Sequence, residues 1–168
     1  MITLAIDPSG NYDSGRGHTG IAGMSNDDWC TVFSECINAK DYDSRYEYWS
    51  AIVAYIERIA VTEGHKLQVV IESYVTRMDG FTVGKMPETA MLIGVIIFFC
   101  EKHGIPFYFQ QPSQAKTRFK DDQLPKYIFG LILKDTGRYY LRGKLINDHA
   151  RDAMKHLLYF KRYKEYKL

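Results

Sequence analysis

Acidic side chains follow two apolar segments of the chain and recur near its end. Asp7 comes after the apolar segment 2–6, Glu72 after the β-branched segment 67–71, and Asp152 lies in the last amphipathic segment. A carboxylate beside a buried strand is costly to desolvate unless a cation or hydrogen bonds compensate it. If the two strands are neighbours, these carboxylates converge at one sheet edge. Carboxylates suit Mg²⁺ or Mn²⁺, and several can hold two ions about 3.5–4 Å apart for phosphoryl displacement.

Two residues beside Asp152 extend this candidate metal site. On a helix, His149 lies about 60° and Asp148 about 40° around the axis from Asp152, so either could face a common ion. The alternative for Asp148 is an N-cap or first-turn acid that the helix dipole stabilises, and this alternative is favoured. His149 lies nearer the apolar stripe. Because imidazole prefers softer metals than Mg²⁺, His149 could instead orient water or phosphate.

The elements that must position these residues follow from the hydrophobic pattern. It predicts strands at 2–6, 19–24, 29–37, 67–71 and 106–110, with an enlarged hairpin loop at 8–18, and helices at 41–63, 87–103, 124–133 and 148–163. This order predicts an α/β fold, a mixed five-stranded sheet flanked by helices. Pro87 is expected to open the second helix, which is apolar nearly all round and must be covered on more than one side, within the fold or by a partner subunit. A length of 168 residues favours a single domain over 1–168.

Charge and composition narrow the class of protein. The net charge is only +2, yet residues 1–100 hold 7 Lys and Arg against 13 Asp and Glu, whereas residues 101–168 hold 15 against 7. This asymmetry indicates either an electropositive face for a polyanion or a surface on which charges mix in three dimensions. The longest apolar run, 90–100, is too short to cross a bilayer, and the first residues lack a secretory pattern, so we expect a cytoplasmic protein without membrane association. Cys30, Cys36 and Cys100 lack disulfide or metal spacing and are interpreted as reduced thiols.

An ordered set of short motifs runs through almost the whole chain. The motifs are DPSG at 7–10, TGIA at 19–22, IES at 71–73 and DHARDA at 148–153. Together they resemble the RuvC family of Holliday-junction resolvases, within the RNase H-like nuclease superfamily. The resemblance implies an RNase H-like fold, a homodimer that cuts four-way or other branched DNA in a bacterial or phage-infected cell, and two divalent ions, Mg²⁺ or Mn²⁺. It assigns these ions to Asp7, Glu72, His149 and Asp152.

The chain departs from the family pattern at two places. The loop between Asp7 and Thr19 is longer than the family's short turn, which leaves its glycines without an assigned role. His149 stands three residues before Asp152, where a carboxylate is usual, although some members of the family resemble this chain there.

Basic and aromatic residues complete the implied site. Lys116, in the segment 112–116, resembles a family lysine close to the scissile phosphate and is expected to stabilise charge in the transition state, with Arg118 or Lys120 assisting. The alternative for all three is solvated side chains in a polar loop. Tyr74 or Phe81 is a candidate for stacking on bases at an opened junction, with core packing as the alternative. A wider basic set is expected to contact the DNA backbone: Lys126, Lys134, Arg138, Arg142 and Lys144.

Other functions remain open from the sequence. The hairpin with Asp7, Gly10 and Thr19-Gly20 also resembles the phosphate loop of actin-like and sugar-kinase ATPases, although those proteins need two such domains around the nucleotide. A non-catalytic junction-binding module is a further alternative, but carboxylates facing phosphate bring such a binder no advantage. A related nuclease that cuts RNA is another alternative.

Overall fold

A mixed sheet of five strands forms the centre of the protein. The computed structural model describes residues 1–25, 32–64, 66–73 and 88–163. The strands are β1 (Ile2–Asp7), β2 (His18–Ser25), β3 (Val32–Asn38), β4 (Leu67–Glu72) and β5 (Phe107–Gln110), in the order β3-β2-β1-β4-β5. β1 pairs antiparallel with β2 and parallel with β4, which pairs parallel with β5. The predicted α/β fold is confirmed, and the ends of β1 and β4 meet at one edge.

Four α-helices accompany the sheet: α1 (Arg45–Thr62), α2 (Glu88–Lys102), α3 (Pro112–Arg118) and α4 (Asp148–Tyr163). α1 begins at Arg45 and not at residue 41, because the Ser44 hydroxyl accepts a hydrogen bond from the Glu47 amide and caps the helix there. The segment 112–118, for which no helix was predicted, is helical. α4 has its predicted bounds. The role predicted for Pro87 lies outside the described residues.

The helix predicted over 124–133 is wrong. A 3₁₀ segment, Asp121–Lys126, occupies the start of this range instead. Gly130, at φ +80°, then turns the chain into a second sheet. This sheet consists of the antiparallel strands β6 (Leu131–Leu133), β7 (Tyr139–Leu141) and β8 (Lys144–Ile146). A short apolar run does not distinguish strand from helix by periodicity.

Side chains alternate between two cores, one on each face of the central sheet. Ile6 of β1 and Ile71 of β4 pack in the core with α1 and α2. Their neighbours Ala5 and Val70 pack in the other core, with α4 and the second sheet. Because successive side chains of a strand point to opposite faces, Asp7 and Glu72 share the face of Ala5 and Val70. The sheet therefore directs both carboxylates towards α4.

α2 buries only one side within the described residues. Leu92, Ile96 and Cys100 are buried, whereas Met91 and Phe98 are 36% and 68% exposed. The covering that the sequence predicts on more than one side is thus absent from the described part of the chain. Among the described cysteines, Cys36 and Cys100 are free, in keeping with reduced thiols. None of the helices in the described ranges combines the length and apolarity that crossing a membrane requires.

Candidate active site

Asp7 lies at the end of β1 beneath the first turn of α4. Its carboxylate Oδ2 is 2.8 Å from Nδ1 of His149, and the residue is almost fully buried. Asp7 pairs with Gly20 on β2. A Cβ atom at Gly20 would lie 2.1 Å from the backbone oxygen of His149. Glycine at this position therefore allows α4 to approach the sheet closely enough for His149 to contact Asp7.

A hydrogen-bond network holds the loop that follows Asp7. The Tyr48 hydroxyl donates to the Ser9 carbonyl at 2.7 Å and lies 2.9 Å from Oγ1 of Thr19, which accepts from the Ser9 amide at 3.2 Å. A Cβ at Gly10 would lie 2.2 Å from the Glu88 backbone, so this glycine lets α2 begin against the loop. These contacts fix the chain directly after Asp7 and give a role to part of the long loop.

Glu72 ends β4 between a histidine and a lysine. Its Oε2 is 2.6 Å from Nε2 of His156 on α4, and its Oε1 accepts from Nζ of Lys116 on α3 at 3.1 Å. His156 is fully buried. Because an ionised carboxylate only accepts hydrogen bonds, Nε2 of His156 must carry the proton in this contact.

Asp152 shares Lys116 with Glu72. Nζ of Lys116 is 2.8 Å from Oδ2 of Asp152, and Nζ of Lys155 is 2.7 Å from Oδ1. Lys155 also pairs with Asp121 of the 3₁₀ segment. Lys116 therefore bridges carboxylates from β4 and α4, and its charge also interacts with that of Asp7.

Burial and neighbouring charges shift the acid–base properties of the cluster. Desolvation raises the pKa of Asp7, although the hydrogen bond with His149 opposes this. Desolvation would also raise the pKa of Glu72, but the contacts with His156 and Lys116 outweigh it and leave that pKa below its usual value. The pKa of Asp152 is likewise lowered, because hydrogen bonds from Lys116 and Lys155 outweigh its desolvation. Each carboxylate thus depends on a nearby cation or hydrogen-bond donor.

The hydrogen bond to Asp7 raises the pKa of His149 despite its partial burial. Lys116 loses solvation, yet its hydrogen bond to Asp152 and the charges of Glu72 and Asp7 raise its pKa above the usual value. The carboxylates therefore favour the protonated form of each side chain.

The carboxylate oxygens of this cluster are chemically suited to bind a divalent cation. No group of three or more His, Cys, Asp or Glu side chains in the described ranges is arranged to hold a metal ion as it stands. The Lys116 ammonium bridges Glu72 and Asp152 in this arrangement. Three carboxylates at one sheet edge are nevertheless the hard ligands that Mg²⁺ and Mn²⁺ prefer, and withdrawal of the flexible lysine would free their oxygens.

The structure brings together five of the six predicted catalytic and metal-binding residues, namely Asp7, Glu72, His149, Asp152 and Lys116. It does not bring Asp148 to them. The Asp148 side chain is 88% exposed and pairs with Arg151 one turn along α4, as expected for an acid in the first turn of a helix.

The basic residues predicted to bind DNA do not belong to this cluster. Arg118 lies over the ring of Tyr163. Lys144 is paired with Glu35 of β3 at 2.6 Å, so its ammonium is partly neutralised. The remaining predicted basic residues are exposed: Lys120, Lys126, Lys134, Arg138 and Arg142. The candidates Tyr74 and Phe81 lie outside the described residues.

His156 and Lys155 belong to the cluster but were missed by the sequence analysis. His156 sits between hydrophobic residues and is typical of a core position. The signal that could have found it is its spacing, because a residue four positions after Asp152 lies on the same side of the helix. Lys155 is three positions after Asp152 and shares that side.

Comparison with known proteins establishes the fold. No protein-family model matches the chain, and no curated protein sequence matches it. Its fold is similar to that of Thermus thermophilus RuvC in complex with a Holliday-junction substrate, with a TM-score of 0.68, 15% sequence identity, and coverage of 99% of this chain and 96% of that chain. A second Thermus thermophilus RuvC structure matches with a TM-score of 0.61 and 16% identity, covering 96% of each chain. The chain therefore has a RuvC-like, RNase H-like fold, as the resemblance implied.

Proposed function

We propose that this protein is a divalent-metal-dependent endonuclease that resolves four-way DNA junctions. The observation that carries the proposal is the contact of Glu72 of β4 and Asp152 of α4 with the ammonium of Lys116, with Asp7 of β1 near enough for its charge to act on Glu72 and Lys116. A RuvC-like fold supports it, since the similar structure of Thermus thermophilus RuvC holds a Holliday-junction substrate.

The chain's own residues have distinct tasks in this proposal. Asp7, Glu72 and Asp152 hold two Mg²⁺ or Mn²⁺ ions, and the Nδ1–H of His149 orients the Asp7 carboxylate. When bound, the ions supply an activated water and charge for the departing oxygen of the phosphodiester. Lys116 supplies a mobile positive charge for the phosphate, because its long side chain reaches the cluster from α3.

The wider surface positions the DNA. Exposed cations, including Arg118, Lys120 and Lys126, contact phosphates and hold the duplex arms without reading their sequence. A homodimer places two equivalent sites on opposite strands of a two-fold junction, and the exposed side of α2 around Phe98 is its contact surface. The protein acts in the cytoplasm of a bacterial or phage-infected cell.

Cleavage assays with an active-site variant test the proposal. Purified protein is incubated with a synthetic four-way junction, a fork, duplex DNA, single-stranded DNA and an RNA duplex, in Mg²⁺, Mn²⁺ or chelator. We expect cutting of the junction only with a metal ion. Asp7→Asn should abolish cutting and retain junction binding, because it removes one ligand charge without altering the basic surface.

Asp148→Asn is the matched control, since it removes an exposed carboxylate from the same end of α4 without touching the cluster. It should cut at the wild-type rate. Cutting by Asp7→Asn in Mg²⁺ would refute the site. Junction binding by a wild-type protein that never cuts would indicate a non-catalytic module instead.

A further inference from the structure

The second sheet buries one face and exposes the other. Ile132, Tyr140 and Leu145 stand side by side in register across β6, β7 and β8. Ile132 and Leu145 are 51% and 53% exposed. We call these three residues the outer face. The opposite face packs in the α4 core through Leu131, Tyr139, Leu141 and Ile146.

Cations lie in and beside the strands that carry the outer face. Nζ of Lys134 lies 4.3 Å from the ring centroid of Tyr140. Between residues 126 and 146 the chain carries five Lys and Arg against a single Asp. Within the described ranges, no carboxylate is within ion-pair distance of three of these cations, which are Lys134, Arg138 and Arg142. The face thus combines an apolar, aromatic centre with a rim of uncompensated positive charge.

We propose that the outer face binds unpaired nucleotides, with bases packed on Tyr140 and its apolar neighbours and phosphates on the rim. Every base offers a π-face that stacks on an aromatic ring, and every nucleotide brings an anion. A protein partner would have to desolvate the rim cations to reach the apolar centre, at a cost in free energy. Duplex DNA keeps its base faces stacked inside, so a single strand fits better.

The second sheet is joined firmly to the candidate active site. β8 ends two residues before α4, whose first turn carries His149. Between them, Oδ1 of Asn147 accepts from the Ala150 amide at 2.9 Å and caps the helix. The Arg151 guanidinium lies 4.6 Å from the ring centroid of Tyr139 and donates to the Ile146 carbonyl. Nucleotides on the outer face would consequently be held in a fixed relation to Asp7 and His149.

This inference rests on the proposed function, because it takes branched DNA with unpaired nucleotides as the substrate. Its test avoids cleavage altogether. Fluorescence anisotropy of a labelled 12-nucleotide single strand is measured in chelator, with unlabelled duplex as competitor. We expect wild-type protein to bind the strand and prefer it to duplex of equal length.

Variants separate stacking from charge. Tyr140→Ala should weaken binding about 5- to 150-fold, the loss expected for one stacked base, while Tyr140→Phe keeps the wild-type affinity. Leu145→Ser, at an exposed position, should also weaken binding and guards against misfolding of the tyrosine variant.

Arg138→Gln should lower the salt dependence of log K by about 0.7, the value for one phosphate contact, whereas Tyr140→Ala should leave this slope unchanged. Tyr46→Ala on α1, where the ring is 79% exposed, is the control and should bind as wild type.

Wild-type affinity in both Tyr140→Ala and Leu145→Ser would overturn the inference. So would an equal loss in Tyr46→Ala. A change in oligomeric state without a change in strand binding would identify the outer face as a protein interface and also overturn it. Strand binding that depends on Tyr140 in a protein that never cuts a junction in Mg²⁺ would support this inference while refuting the nuclease proposal.

Discussion

Each carboxylate of the candidate site is held by a side chain from another element. Glu72 is held from α4 by His156 and from α3 by Lys116. Nδ1 of His156 is buried and has no hydrogen-bond partner among the described residues, so the contact of the ring with Glu72 is made through Nε2. Because α4 packing fixes the imidazole, it also fixes the direction in which Glu72 points. A group that orients a metal ligand in this way normally contributes strongly to metal affinity.

His156→Ala should therefore impair the metal site without removing a ligand. We expect Mg²⁺ affinity, measured by calorimetry, and kcat for junction cleavage each to fall about 10- to 100-fold. His156→Gln should recover much of the Mg²⁺ affinity and of kcat, since its amide nitrogen can donate a hydrogen bond at the position of Nε2. His103→Ala, at the end of α2, is the control. Unchanged Mg²⁺ affinity in a folded His156→Ala protein would contradict this role.

At the residue scale, the sequence indicated the carboxylates better than their partners. Asp7 and Glu72 could be found because each follows an apolar strand, and two such strands in one sheet bring their ends together. Asp152 and His149 followed from helical spacing and the family resemblance. His156 could not be separated from a core residue, since its role depends on the distance between α4 and β4. That distance is set by how α4 packs on the sheet, which the local sequence pattern does not specify.

At the scale of elements, the site depends on how closely α4 lies on the sheet. The contact runs through Gly20, where any side chain would collide with the His149 backbone. Glycine in a strand normally weakens it, so its presence opposite Asp7 reflects this close approach.

Gly20→Ala should separate α4 from β2. We expect a loss of about 2 kcal/mol or more in unfolding free energy, since the clash is with backbone, together with loss of cleavage. Gly94→Ala is the matched control, because Gly94 is at an exposed position of α2 and no described atom outside the local helix backbone lies within 4 Å of the added Cβ. It should stabilise the protein by about 1 kcal/mol. Urea denaturation measures the unfolding free energy of both variants. Wild-type stability in Gly20→Ala would show that α4 does not lie tightly against β2 at this position.

The elements with strong patterns were predictable, and the short ones were not. The strands near 2–6 and 67–71 and the helix 148–163 have long, regular patterns and were found. The second sheet was missed because its strands have three residues each, below the length at which alternation is informative. Gly137 and Gly143, both at positive φ, mark its two turns and were the available signal.

At the scale of the whole molecule, the central sheet separates two surfaces. α1 and α2 cover one face, and the candidate site and the second sheet lie on the other. The excess of positive charge after residue 100 left two possibilities, a face for a polyanion or a surface on which charges mix. The charge count alone could not say where that face lies, because the cations around the outer face are grouped by the pairing of β6, β7 and β8.

The exposed side of α2 provides a prediction about assembly. Met91 and Phe98 lie two turns apart on one side of this helix and are solvent-exposed. If this side joins two copies, wild-type protein sediments as a dimer, and Phe98→Glu sediments as a monomer because it places a charge in an apolar contact. Val61→Glu, at an exposed position of α1, should remain dimeric. Sedimentation velocity measures the oligomeric state of all three proteins. A wild-type protein that is monomeric at micromolar concentration would contradict the proposed homodimer.

The central claim is that Asp7, Glu72 and Asp152 form one centre for divalent cations. It is tested most directly by anomalous X-ray diffraction from crystals soaked in Mn²⁺. We predict one or two manganese peaks at about 2.1 Å from oxygens of these carboxylates, with Lys116 moved away from Glu72 and Asp152. Manganese bound only elsewhere, or a cluster that still holds Lys116 and no ion at saturating Mn²⁺, would contradict the account.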